Sequence, residues 1–160
     1  MSEFGVYVHI PFCRHRCDYC AFATWTDKDD LIADYVEAVC EDISRTRNNG
    51  LAVVDTVFFG GGTPTRIAPH FIADIVHALP LSDNPEVTVE CNPDDVTVEM
   101  METFAAAGVN RISIGVQSMV PRVLEILGRT HNPDNVRTSV DAARQAGISS
   151  INLDVMYGAA

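Results

Sequence analysis

Positive charge is scarce in this sequence: 11 Lys and Arg stand against 22 Asp and Glu, for a formal net charge of −11. A nucleic-acid groove needs a basic stripe, so this balance argues against nucleic-acid partners. Acidity by itself says little beyond solubility. No apolar run is long enough to span a bilayer. The opening residues Met1-Ser2-Glu3-Phe4 do not read as a secretory signal. No repeat, low-complexity tract or linker interrupts the chain. These absences predict one domain over residues 1–160, in a cytoplasmic, reducing compartment where thiols stay free. With 47% hydrophobic residues, a real core can form.

Cysteine is sparse too, and unevenly placed. Three of the five stand in one loop, Cys13-Arg14-His15-Arg16-Cys17-Asp18-Tyr19-Cys20, right after the first strand-like run. Three thiolates can hold three irons of a four-iron cubane and leave the fourth iron open to an exogenous chelator. Ordinary iron–sulfur sites use four cysteines. Zinc is a second reading, but zinc loops usually pair two separated knuckles to reach four ligands. Here His15 or His9 would have to finish the set from inside or beside the same loop. Inert thiols are the third reading. Disulfides would have to pair cysteines too close in sequence, in a chain with no secretory signal. Cys40 falls near the apolar stripe of a predicted helix and reads as a small buried hydrophobe. Cys91 points opposite to Glu90 in a regular strand and reads as core.

Strand-like and helix-like runs alternate. Strands are predicted at Gly5–Ile10, Val53–Phe59, Glu86–Cys91, Arg111–Val116 and Ile148–Met156. Helices are predicted at Asp29–Arg47, Pro69–Leu79, from a Thr97 cap to Ala107, at Pro121–Leu127 and at Pro133–Ala146. Strands joined by helical crossovers pair in parallel, as an open doubly wound sheet or as part of a β/α barrel. Cys13, Gly62, Glu90, Gln117 and Asp154 all fall at or just past strand C-termini, the active face of a β/α barrel. The expected fold class is therefore α/β, a partial parallel β/α barrel. Tyr157-Gly158-Ala159-Ala160 follows the fifth strand directly and would leave it an unpaired edge, so the chain reads as truncated there.

Each strand end carries polar chemistry with a bland alternative beside it. Gly60-Gly61-Gly62-Thr63-Pro64 lets a ligand approach the backbone and offers a hydroxyl; it is no P-loop, since no Lys-Ser/Thr follows, and alone it could be a tight turn. Glu90 could accept hydrogen bonds from ribose hydroxyls or be a solvated surface residue. Gln117 could bind a polar ligand edge. Arg129 could pair with a carboxylate or lie idle on the surface. Asp154 sits in an apolar strand, where an unpaired charge is costly. His9, His15 and His131 lie near the predicted active face, where any could touch a bound ligand, with a local hydrogen bond the expected use. His70 and His77 lie on a predicted helix and read as surface or packing residues. Trp25 is expected to pack below the cysteine loop.

The run Tyr7-Val8-His9-Ile10-Pro11-Phe12-Cys13, with the cysteine loop and the glycine motif behind it, resembles the radical S-adenosylmethionine (SAM) superfamily. Within it the chain is similar to the oxygen-independent coproporphyrinogen III oxidase and haem chaperone group. The resemblance covers essentially the whole chain and implies a six-stranded partial barrel, of which this chain would be one strand short. It implies a 4Fe-4S cluster on Cys13, Cys17 and Cys20. It implies SAM contacts at Tyr7, Tyr19, Gly61, Gly62, Thr63, Glu90, Gln117, Arg129 and Asp154. In the implied chemistry, SAM chelates the open iron and one electron releases methionine and a 5′-deoxyadenosyl radical. The group's decarboxylating oxidases carry a further cysteine two residues after the third, where this chain has Phe22, and an N-terminal extension that it all but lacks. Both departures look like the haem chaperone branch, with haem as a further ligand and delivery of haem to acceptor proteins. The alternative is oxidative decarboxylation of two propionates of coproporphyrinogen III. Implied partners are haem or a porphyrinogen, a haem-acceptor protein and an electron donor, with membrane contact only through an acceptor.

Overall fold

Five strands, β1 (Gly5–Ile10), β2 (Val54–Gly61), β3 (Leu81–Cys91), β4 (Arg111–Gln117) and β5 (Ser150–Val155), pair in parallel and in sequence order. A doubly wound sheet reverses its strand order at a switch point. This sheet does not, so it is an open, partial β/α barrel. The structure, a computed structural model, describes residues 4–158. Expectations that touch residues 1–3 and 159–160 lie outside the described residues.

Helices α1 (Ile32–Asn48), α2 (Pro69–Ala78), α3 (Val98–Ala106), α4 (Pro121–Ile126) and α5 (Pro133–Gln145) run between the strands. Two of their starts follow directly from sequence chemistry. The Thr97 side chain accepts the Met100 N–H at the head of α3. Asn132 and Asn135 form a reciprocal capping box at the head of α5, with Pro133 in the first turn. The predicted helix from Asp29 begins instead with a single 3-10 turn at Asp29–Leu31 before α1. Helix α1 packs on α2, α2 on α3 and α3 on α5. Among the described residues no helix is long and apolar enough to cross a membrane.

Side chains alternate along each strand, and this alternation builds the molecule. Val57, Phe59, Val87, Val89, Ile112 and Ile114 point to the helix side and are buried there with Ile72, Ile75, Met101 and Phe104. Tyr7, Phe58, Glu90, Ser113, Gly115, Asn152 and Asp154 take the other parity and line the concave face.

Strand β3 departs from expectation by starting at Leu81 rather than Glu86. Pro85 lies inside this longer strand, although proline cannot donate to a ladder. The register resolves it: Val54 pairs with Leu81 and Thr56 with Glu86, so two residues of β2 run beside five of β3. Pro85 falls in the resulting irregularity and forfeits no ladder bond.

Candidate functional site

The cysteine loop is anchored at its base by backbone. Trp25 N–H donates to Pro11 O at 2.8 Å and Cys13 N–H donates to Trp25 O at 3.0 Å. The Trp25 ring does not pack beneath the loop as expected; it is 49% exposed, and the residue serves through its main chain. Within the loop, Cys20 N–H donates to Cys17 O at 3.0 Å. The Arg16 guanidinium donates to Cys20 O at 3.3 Å. Two further ties reach outward. Arg14 Nη2 donates to Asp95 Oδ1 at 3.2 Å, and Asp18 N–H points to Leu127 O at 3.4 Å. Burial pushes the Asp95 carboxyl up, and the Arg14 partner opposes it.

The glycine motif holds the other side of the loop. Gly62 N–H donates to Ile10 O at 2.8 Å and Thr63 N–H to Phe12 O at 2.9 Å. A Cβ on Gly62 would stand 2.7 Å from Ile10 O. At Gly61, φ is +106° and a Cβ would run into the His9 ring. The sequence reading gave these glycines to ligand approach. The structure gives them a prior use, seating the cysteine loop against β2.

A cavity of about 290 Å³ opens between these segments at the C-terminal ends of the strands. That is near the lower end of the roughly 300–1,000 Å³ of small-molecule sites. Cys13, Cys17, Cys20, Tyr19, Gly61, Gly62, Thr63, Glu90, Gln117, Arg129 and Asp154 all line it. Tyr7 does not. Its ring is 57% exposed on the concave face, stacks near Phe58 and lies 3.0 Å through its hydroxyl from His9 Nδ1. Cys13 is buried and its thiol pushed up by burial, an effect that the Thr63 hydroxyl opposes by donating to its Sγ at 3.4 Å.

The three loop thiols are free, as are Cys40 and the buried Cys91. Among the described residues no three His, Cys, Asp or Glu side chains converge on one point where a single ion could sit. The zinc arrangement needs such convergence. A cubane does not, since each thiolate takes its own iron. Soft sulfur donors spread along one loop, facing a cavity lined by polar groups, therefore fit a cluster better than a single ion. The histidines weighed for zinc are differently engaged: His9 Nε2 lies 2.9 Å from Ala23 O, and His15 is exposed.

The polar wall opposite the loop is organised by neighbours that the sequence reading did not single out. Ser113 Oγ donates toward both Asp154 oxygens, at 3.1 and 3.0 Å. Asn152 Nδ2 donates to Asp154 Oδ1 at 2.6 Å and to Ser113 Oγ at 2.9 Å. Asp154 is thus a solvated-by-protein carboxylate rather than a bare charge. Strand parity held the signal: Asn152 lies two residues before Asp154, and Ser113 pairs with Asn152 in register. Glu90 accepts Gly61 N–H at 3.3 Å. Burial raises its carboxyl, and the Asp154 charge adds to that against the Gly61 bond. Arg129 donates through Nη2 to Asn92 Oδ1 at 3.0 Å and to Gly115 O at 2.8 Å, and through Nη1 toward Cys17 Sγ at 3.6 Å. Asn92, just past the end of β3, was not among the expected site residues. Gln117, at the end of β4, has φ +61°, a left-handed conformation uncommon outside glycine and concentrated at functional sites.

Comparison with known proteins places this geometry. The sequence profile of the radical SAM superfamily matches residues 7–159. The heme chaperone HemW of Bacillus subtilis is 37% identical over 160 residues, 96% of this chain and 42% of that protein. The oxygen-independent coproporphyrinogen III oxidase of Bradyrhizobium diazoefficiens is 38% identical over 161 residues, 96% of this chain and 36% of that protein. Among solved structures, the Escherichia coli coproporphyrinogen III oxidase HemN matches with a TM-score of 0.86 at 26% identity, over 98% of this chain and 37% of that one. The chain spans less than half the length of these relatives.

Proposed function

The chain belongs to the radical SAM superfamily, and from that premise we propose that it is the cluster- and SAM-binding core of a haem chaperone that delivers haem to an acceptor protein. The superfamily implies a 4Fe-4S cluster and SAM. Cys13, Cys17 and Cys20 would hold three irons, leaving the fourth to the amino and carboxylate groups of SAM. Gly61, Gly62 and Thr63 present backbone and hydroxyl to the amino end. Glu90 accepts from ribose hydroxyls, and Gln117, Arg129 and Asp154 complete the polar wall. Tyr19, in the cysteine loop, flanks the adenine. Tyr7 belongs to the same set by resemblance, and its position outside the cavity wall makes it the outermost member. Once loaded, the cluster and SAM supply one-electron cleavage of the sulfonium; the chain's part is to bind, orient and exclude water. The setting is cytoplasmic, with a one-electron donor as partner and membrane contact only through the acceptor.

Overall similarity does not separate chaperone from oxidase, because relatives of both names match nearly equally. Phe22 carries the choice. By resemblance it occupies the position of the oxidases' additional cysteine, and the residue, 64% exposed, lines the cavity. The second reading, oxidative decarboxylation of coproporphyrinogen III, has the shared core in its favour. The deciding experiment supplies the anaerobically reconstituted, reduced protein with SAM and coproporphyrinogen III and weighs the products. The expected result is no decarboxylated porphyrinogen beside an active control oxidase, together with saturable haem binding. Product formation makes the protein an oxidase and removes the Phe22 argument.

A further inference from the structure

His131 is 4% exposed and lies behind the cavity wall rather than on it. Its Nε2 stands 3.0 Å from Val116 O, and its Nδ1 stands 3.3 Å from Arg129 Nε. A carbonyl only accepts and an arginine N–H only donates, so the two partners select one neutral tautomer: Nε2 carries the proton and Nδ1 is bare. Burial first, and the Arg129 charge second, hold this imidazole below its usual range, in keeping with a neutral ring.

Both ends of this bridge matter to the cavity. On one side, Nε–H of Arg129 goes to His131 and both Nη2 protons go to Asn92 and Gly115. The guanidinium is planar and rigid, so these three bonds leave one free direction. That is the Nη1 edge, which faces Cys17 Sγ and the cavity. On the other side, Val116 is the residue skipped in the β4–β5 register, where Gly115 pairs with Asp154 and Gln117 with Val155. Val116 O also accepts Ser118 N–H at 2.7 Å. The irregularity ends in the left-handed Gln117, which returns the Gln117 side chain to the concave face. One buried imidazole therefore ties the backbone that aims Gln117 to the side chain that aims at Cys17.

We propose that His131 is a positioning residue for the cluster and SAM site, holding Arg129 so that Nη1 faces both the Cys17 sulfur and the SAM carboxylate. The proposal rests on the cluster and SAM reading above. It concerns no ligand of iron and no group that touches SAM itself. Hydrogen bonds to cluster sulfurs help set reduction potential, and a charge-assisted bond to a carboxylate adds affinity, so loosening Arg129 alters both.

The test compares the parent with His131→Leu and His131→Asn, each reconstituted anaerobically to full iron content. The readouts are the Kd for SAM by titration and the cluster midpoint potential. The Leu variant is expected to lose about tenfold in SAM affinity, the scale of one charge-assisted hydrogen bond, and its potential is expected to fall. Asn places Oδ1 where Nδ1 was, restores the acceptor for Arg129, and is expected to bind SAM within about threefold of the parent. A Leu variant with parental Kd and potential overturns the proposal. So does an Asn variant as impaired as Leu, since packing alone would then explain the loss. Should the Leu variant not hold iron, the Asn variant decides alone: near-parental binding supports the role, and a tenfold loss overturns it. A parent that holds iron and does not bind SAM would instead overturn the reading on which the proposal stands.

Discussion

Phe58 and Phe59 are neighbours on β2 with opposite fates. Phe59 faces the helices and is 0% exposed; Phe58 faces the concave side, half-buried, near the Tyr7 ring. The same alternation runs across the sheet, so each central strand contributes one residue to a dry apolar layer and the next to a polar wall. The helix side is held by dispersion and apolar burial, which need no specific partner. The concave side is held by hydrogen bonds that join Ser113, Asn152 and Asp154 to one another, Glu90 to Gly61 N–H and Arg129 to Asn92, each of which must find its mate. A fold built this way can carry a demanding site without staking its stability on it.

The sharpest break in that comparison lies in the cysteine loop. Replacing Cys13, Cys17 or Cys20 with Ala is expected to abolish four-iron incorporation after anaerobic reconstitution, read by iron analysis and visible absorbance, while the far-ultraviolet circular dichroism of the apo-protein stays unchanged. Retention of four irons per chain in any one variant would remove that cysteine from the ligand set. A fold lost along with the iron would mean the two faces are not separable.

The mirror experiment attacks the helix side. Phe59→Ala leaves a cavity in a fully buried layer, and such truncations cost about 3–5 kcal/mol. Phe58→Ala, one residue away on the half-buried face, is expected to cost roughly 1 kcal/mol, in the usual range for partly exposed sites. Denaturant midpoints at constant m-value measure both. Equal losses would show that the concave face is a second core and would refute the division of labour.

Much of this was legible beforehand, and the boundary of legibility has a physical cause. Strand and helix positions follow from periodicity, and the cavity residues follow from their place at strand ends, so Cys13, Gly62, Glu90, Gln117 and Asp154 could be grouped without coordinates. What could not be read depends on register. The N-terminal half of β3 was hidden by Pro85 because the irregularity that accommodates a proline belongs to the pairing, not to the residue. The left-handed backbone at Gln117 carries no glycine to announce it. One partner of His131 is the Val116 carbonyl, which has no identity in sequence. Trp25 was expected to pack below the loop, whereas the loop uses its main chain. Cys40, expected to be buried, is only partly so on α1, packed against the margin of the core.

Glu90 gives the smallest effect and the finest test of the comparison, because it shows what the polar face costs. Its carboxyl is raised above its ordinary value of 4.5 by burial and the nearby Asp154, with Gly61 and His9 pulling the other way. A carboxyl whose folded pKa is raised binds protons more readily folded than unfolded. Its contribution to stability is therefore fullest below the unfolded value and is lost as pH rises through the folded value. At neutral pH the ionised Glu90 weighs against the apo fold. Glu90→Gln keeps an acceptor for Gly61 N–H and removes the charge. The variant is expected to be modestly more stable than the parent at pH 7, and the difference should shrink as pH falls toward and below 4.5. Paired denaturant melts at pH 4, 5, 6 and 7 read it directly. A Gln variant less stable at pH 7 would mean that the Gly61 and His9 interactions outweigh burial. The carboxylate would then be part of what holds the sheet together, not a charge kept in place for a ligand at the expense of stability.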